Sequence, residues 1–278
     1  QVVLMSGEFS RLMKVLEQLR GEQGCPWDKE QTRDSLKPFL VEEVYEVLEA
    51  MDQADPVRIK EELGDLLLQI VFHCQIAKEQ KEFDAEAVLA ACIEKLIRRH
   101  PHVFGDQKVR DQMMTSQEVL QRWEDLKRQE RGPDAEASLL DGLPKTLPAL
   151  LQAHRVQERV SRVGFDWPAD EQGDGIRNVL AKVREEWVEL EEAIQHNEKD
   201  QARRELGDLL FSLVNLARFM KVDPEGTLRE TTVRFMSRFK EIDRLSKQQG
   251  KSLAQLSLDE MDYLWEKAKE KEKQDKDK

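Results

Sequence analysis

The stretch Val41–Leu68, VEEVYEVLEAMDQADPVRIKEELGDLLL, decides how the chain is read. It carries two carboxylate pairs, Glu43/Glu46 and Glu62/Asp65, each spaced i, i+3. On a helix, the members of such a pair share one face. Val44, Val47 and Leu48, then Leu63, Leu66 and Leu67, lie close to that face. Carboxylates bordering a helical core face are costly to desolvate unless something pairs with them. A divalent cation, which takes hard oxygen ligands, is the partner this pattern points to.

Helical periodicity continues on both sides. Phe9, Leu12, Met13, Leu16 and Leu19 give an amphipathic helix over 8–20. GEQGCPWDKEQT (21–32) reads as a loop from its Gly and Pro content. Leu36 to Met51 mark the helix through the opening stretch, which should stop near Asp52–Asp55. Asp55-Pro56 reads as N-cap and first position of the next helix. That helix runs to about Gln80, with Ile59, Leu63, Leu66, Leu67, Ile70, Val71 and Cys74 on its inner face. Asp84 can cap another, ended by His100-Pro101, and Thr115/Ser116 a further one containing Trp123. No strand-like alternation appears, so the fold class is all-α.

The pattern then restarts. Glu42-Glu43-x-x-Glu46 returns as Glu185-Glu186-x-x-Glu189, and Glu62-Leu-Gly-Asp65-Leu-Leu as Glu205-Leu-Gly-Asp208-Leu-Leu, at a constant offset of 143 residues. The run between the two motifs is 15 residues in both copies. Between the copies, Gly-Pro, Asp-Gly and Leu-Pro punctuation marks a linker. The expected organisation is a helical domain over 8–130, a linker over 131–146, a second helical domain over 147–271 and a charged tail over 272–278. A lone EExxE is most simply a solvated helix face. Four carboxylates kept in both copies, amid sequence that otherwise diverged, favour a metal site.

Composition narrows the chemistry. The 278 residues carry a net charge of −12, which disfavours a nucleic-acid partner but not a small phosphorylated one masked by metal. Three cysteines without a CxxC pair argue against a disulfide framework or zinc. With no run near the ~18 apolar residues of a membrane span, the expectation is a cytoplasmic protein without a membrane partner. A start at Gln1 is compatible with a preceding domain.

Antiparallel helices joined by a short turn would bring Glu43, Glu46, Glu62 and Asp65 together, and likewise Glu186, Glu189, Glu205 and Asp208. Mg²⁺ usually takes one or two carboxylates plus water and phosphate oxygens, so four suggest a site completed by a metal–phosphate substrate. Glu42 and Glu185 adjoin the ligands as candidate general bases, or are ordinary helix-face residues. Lys182, Arg203, Arg234 and Arg238 are candidate phosphate contacts in the second copy, and Lys60, Lys95 and Arg99 in the first. Trp265 and Trp123 can stack on a base or pack into a core. His73 reads as structural. No Walker A motif, GxGxxG or nucleophile elbow is present.

EExxE followed by ExxD on paired helices resembles the MazG family of nucleoside triphosphate pyrophosphohydrolases, within the all-α NTP pyrophosphatase group. GCPWDKEQTRDSLKPFLVEEVYEVLEA, EELGDLLLQIVFH and RRHPHVFGD resemble the first repeat of a tandem MazG, and VGFDW, ELGDLLFSLVNLARF and the closing LW the second. The resemblance spans nearly all of residues 8–270. It implies tandem helical repeats whose four-helix units are completed by homodimerisation. It implies Mg²⁺-dependent hydrolysis of NTPs and dNTPs to nucleoside monophosphate and pyrophosphate, with Mn²⁺ as a substitute ion and house-cleaning of the nucleotide pool as the role. It places metal ligands at Glu186, Glu189, Glu205 and Asp208, with Glu43, Glu46, Glu62 and Asp65 as their twins. Nucleotide contacts fall at Lys182, Arg203, Arg204, Arg234, Arg238 and Trp265. In some Gram-positive proteins such repeats follow a tetrapyrrole-methylase domain. Two other readings stand beside this one: a narrow-specificity, dUTPase-like relative, and a non-catalytic helical interaction module with vestigial carboxylates. The cationic residues around the second carboxylate set make it the expected dominant copy.

Overall fold

In a computed structural model, the described residues are 7–106, 115, 118, 119, 122, 126, 138–168 and 175–276. The chain divides into two compact units, Gln1–Asp134 and Ala135–Lys278. The first comprises α1 (Glu8–Arg20), α2 (Pro26–Glu30), α3 (Arg33–Asp52), α4 (Pro56–Glu79), α5 (Ala85–Arg99) and α6 (Pro101–Phe104). The second comprises α7 (Ala149–Ser161), α8 (Ile176–Gln195), α9 (Lys199–Phe219), α10 (Pro224–Gln248) and α11 (Leu258–Lys276). No described residue is in a strand, and no described helix is long and apolar enough to cross a membrane. Trp123 and most of the segment expected to be helical after Thr115/Ser116 lie outside the described residues.

Local sequence sets most helix ends. Thr32 and Ser35 form a reciprocal capping box at the start of α3. Asp55 accepts from the backbone of Val57 and Arg58, Asp84 from Ala87, and Asp223 from Glu225 and Gly226. Ser257 and Glu260 cap α11 in the same reciprocal way. The segment read as a loop, 21–32, contains the short helix α2. Pro26 at its first position is preset for a helical start, a signal outweighed by the flanking glycines.

In the first unit α3 and α1 both pack on α4. Leu16, Leu36, Val71, Phe72 and Ile76 form the core, with Phe9, Leu12, Met13 and Leu68 against it. The buried part of α4 is therefore its C-terminal half. Leu63, Leu67 and Ile70, expected on its inner face, are exposed in the single chain. Periodicity defines an apolar face but not what covers it. Arg20 fastens the seam: its side chain is only 7% exposed, bonds Glu79 at 2.7 Å and the carbonyls of Asp28 and Gln31, and lies 5.3 Å from the Phe72 ring.

In the second unit α8 packs along α9, α7 on α9, and α10 on α7 and α11. Ile242, Leu256 and Leu264 form a core joined by Leu245, Met261 and Trp265. The turns that close the α3–α4 and α8–α9 hairpins each contain a left-handed residue, Ala54 at φ 51° and Asn197 at φ 57°, 143 positions apart. Asn tolerates this conformation, whereas for Ala it costs about 1 kcal/mol.

Candidate metal centre

Because α3 and α4 form a tight hairpin, i, i+3 carboxylates on each helix face those of the other. Oxygens of Glu43, Glu62 and Asp65 come within 4.8 Å of one another, as do those of Glu186, Glu205 and Asp208 on α8 and α9. Glu186 and Glu205 are buried, at 5% and 7% exposure. The fourth members flank these trios. Glu46 lies within the field of Glu43, and Glu189 within that of Glu186 and Glu205. Desolvation, followed by repulsion from neighbouring carboxylates, raises the pKa of Glu43 and of Glu189. Both clusters thus carry surplus negative charge and hard oxygen donors only. That donor set fits Mg²⁺ or Mn²⁺ rather than a soft metal.

The clusters differ in their cations. Lys182 Nζ sits 2.8 Å from Glu185 and 2.7 Å from buried Glu186, bonds that raise its pKa. The residue 143 positions earlier is Phe39, which meets Trp27 edge-on at 6.1 Å. In the first cluster the nearby cation is Arg58 instead, 3.5 Å from Glu62 and 3.6 Å from Glu49.

The second cluster also opens into a cavity of about 560 Å³. Lys182, Glu186 and Asp208 stand in its wall, with Val156 and Gln157 of α7, Phe165–Trp167, and Phe211 to Arg218 of α9 around the rest. Arg218 binds Asp166 through both terminal nitrogens, donates to Asn215 at 2.8 Å, and lies 4.6 Å from the Phe219 ring. The α7, Phe165–Trp167 and α9 parts of this wall were missed by sequence reading; the GFDW aromatic run beside Gly164, at φ 84°, was the available signal.

Other sequence candidates are placed elsewhere. Glu42 is exposed and outside the trio, while Glu185 is tied to it through Lys182. Arg203 and Arg204 line a separate hollow with Asp200 and Gly207. Arg234 bonds Thr231 on its own helix. Arg238 bonds Glu272 at 2.8 Å and stacks 5.4 Å over Trp265, which packs 5.1 Å from Phe235 beside the α10–α11 core. Lys60 and Lys95 are exposed and Arg99 half-buried. The His73 Nε2 is buried without a partner, and burial lowers the ring's pKa, as suits a structural histidine.

The MazG nucleotide pyrophosphohydrolase domain family matches residues 31–104 and 175–243, one match on each acidic hairpin. The chain belongs to the MazG family. A nucleoside triphosphate pyrophosphohydrolase/pyrophosphatase MazG of Thermotoga maritima is 46% identical over 261 residues, covering 94% of this chain and 95% of that protein. A nucleoside triphosphate pyrophosphohydrolase of Escherichia coli is 41% identical over 268 residues, covering 95% and 98%. The uncharacterized protein YabN of Bacillus subtilis is 44% identical over 270 residues, 97% of this chain but 53% of that protein. The first MazG segment spans α3 to α6 and the second spans α8, α9 and most of α10.

Proposed function

We propose that the chain is a metal-dependent nucleoside triphosphate pyrophosphohydrolase, cleaving NTPs and dNTPs to nucleoside monophosphate and pyrophosphate. The observation that carries this is Lys182, bonded to buried Glu186 at the wall of a nucleotide-sized cavity. Glu186, Glu189, Glu205 and Asp208 would hold Mg²⁺, with Mn²⁺ as a substitute. Bound there, the ion supplies neutralisation of phosphate charge and activation of water. Lys182, 2.7 Å from Glu186 at the cavity wall, would be the residue that holds a phosphate oxygen. Glu185, at 2.8 Å from the same ammonium, is positioned to take the proton of the attacking water at its carboxylate. The apolar wall excludes water from the nucleoside end.

Two catalytic-type domains, 8–130 and 147–271, flank the linker 131–146 in this reading. Glu43, Glu46, Glu62 and Asp65, with Glu42 beside them, form the weaker copy, without a lysine at the Lys182 position. The exposed apolar faces of α4 and α5 (Leu63, Leu67, Ile70, Ile93, Leu96) are of the kind a homodimer covers. A second copy could then supply Arg203, Arg204, Arg234, Arg238 and Trp265 to the nucleotide. A cytoplasmic, house-cleaning role fits broad NTP hydrolysis. Pyrophosphate release from each NTP and dNTP, with and without Mg²⁺ or Mn²⁺, tests the reading. Turnover of several nucleotides supports it. Turnover of one alone means a dUTPase-like specialist, and turnover of none under any metal means an interaction module. Light scattering tests the dimer.

A further inference from the structure

One amide in the cavity wall is fixed from behind. Asn215 on α9 is half-buried and lines the cavity. Its Oδ1 accepts from Arg218 Nε at 3.0 Å and from Arg218 Nη2 at 2.8 Å. Arg218 is itself held by the Asp166 carboxylate and the Phe219 ring, and its side chain is only 15% exposed. Two bonds from a guanidinium fix which end of the amide is oxygen, so the other end, Nδ2, is a donor. Among the described residues no acceptor bonds that nitrogen, and it keeps accessible surface. Asn215 thus brings to the cavity an accessible N–H, polarised by the cation behind it. Ser212 and Trp167 add polar groups to the same wall, but a hydroxyl rotates to donate or accept, and Trp167 is 40% exposed. The Asn215 N–H is a donor whose direction is set.

Position along α9 says which part of a nucleotide this donor meets. Asp208, in the carboxylate trio, and Asn215 are seven residues apart, two helical turns and about 10 Å along the axis. With a phosphate at the carboxylate end, that distance leads past the sugar to the near edge of the base. Val156, Val160, Phe165 and Phe211 in the wall suit a planar ring and not a phosphate. Resting on the proposed hydrolysis of many NTPs, we infer that Asn215 is a specificity-determining residue. Its Nδ2 donates to the acceptor that every base shares, N3 of a purine or O2 of a pyrimidine. The groups on the opposite edge, such as N7, O6 and the exocyclic amines, differ from base to base, so a fixed donor aimed there would select among nucleotides. N3 and O2 occupy equivalent places in all the bases. The contact recognises that a base is present without choosing which one.

The analogue 3-deaza-ATP, which carries C–H in place of N3, tests this on the unaltered protein, with 7-deaza-ATP as the control. The expected kcat/KM for 3-deaza-ATP is roughly tenfold below that for ATP, as the loss of one hydrogen bond accounts for. The value for 7-deaza-ATP should stay close to that for ATP. Asn215→Asp keeps an oxygen for Arg218 but puts an acceptor where the donor was, so ATP should lose its advantage over 3-deaza-ATP. Asn215→Ala, which adds no charge, should likewise make the two substrates equal. Equal handling of ATP and 3-deaza-ATP by wild type overturns the inference, as does an equal loss with 7-deaza-ATP. So does an unchanged ratio in an active variant. The wild-type comparison stands whether or not a variant folds. Turnover of a single nucleotide by wild type also overturns the inference, since no shared acceptor is then needed. Absence of turnover with every nucleotide under any metal would instead overturn the pyrophosphohydrolase reading, and this inference with it.

Discussion

Phe72 and Asn215 hold the same place in the two repeats, 143 residues apart, and do opposite things. Phe72 is buried against Leu16 and Leu36 and closes the seam between α1 and α4. Asn215 lines an open cavity between α7 and α9 and is held by Arg218. Gln69 and Ser212, or Leu68 and Phe211, are further pairs at this offset along the same seam. The carboxylates behind both seams are retained. Duplication has thus kept the hairpin that gathers negative charge and changed the layer beside it, packing one copy and leaving the other concave. A packed seam stabilises; a concave one next to the same charges can bind.

The comparison breaks most readily at the carboxylates. Glu186→Ala or Glu189→Ala should lower kcat by on the order of 10²–10³, the scale of losing a main electrostatic group. Glu43→Ala or Glu46→Ala should leave most activity in the same pyrophosphate-release assay. The reverse order would make the first repeat the working one. Next, Lys182→Phe, which imports the first repeat's residue, should reduce kcat/KM roughly 10–100-fold while leaving the fold intact by circular dichroism.

Exchanging the seam residues should separate binding from stability. Asn215→Phe should raise KM about tenfold by filling the cavity and removing an acceptor from Arg218, with no loss of thermal stability. Phe72→Asn should destabilise the first unit by about 3 kcal/mol in denaturant titration, through lost packing and a buried amide. The smallest effect is expected at Arg20. Arg20→Ala should cost about 2 kcal/mol in the first unit. Hydrogen bonding from Arg20 holds the Glu79 carboxyl below its usual range. A depressed carboxylate stabilises above its unfolded pKa of about 4.3. The gap between wild type and variant should therefore be full at neutral pH and shrink as pH falls below that value.

Much of this organisation was legible in local sequence. Asp55, Asp84 and Asp223 announce helix starts because capping is decided by the residue itself and its next three neighbours. The carboxylate trios follow from i, i+3 spacing on two helices joined by a short turn. Four things were not legible. Leu63 and Leu67 belong to an apolar face, but spacing along one chain cannot say whether the covering surface is intramolecular. The cavity depends on how α7 leans on α9, a tertiary relation that no single helix encodes. Arg238 and Trp265 pair with one another across α10 and α11, a contact invisible until those helices pack. The α2 turn was hidden because the glycines around it speak more loudly than Pro26 does.

The left-handed turns at Ala54 and Asn197 bear on the evolution of chain length. Each α-helical residue advances the side-chain direction by about 100°. One residue added to α4 between this turn and Glu62 would swing Glu62 and Asp65 a quarter-circle away from Glu43. The segments linking the motifs, VLEAMDQADPVRIKE and LEEAIQHNEKDQARR, share little sequence yet have the same length. The angular phase between the two acidic faces accounts for that. Substitutions in the spacer leave that phase untouched, whereas an insertion or deletion there would change it.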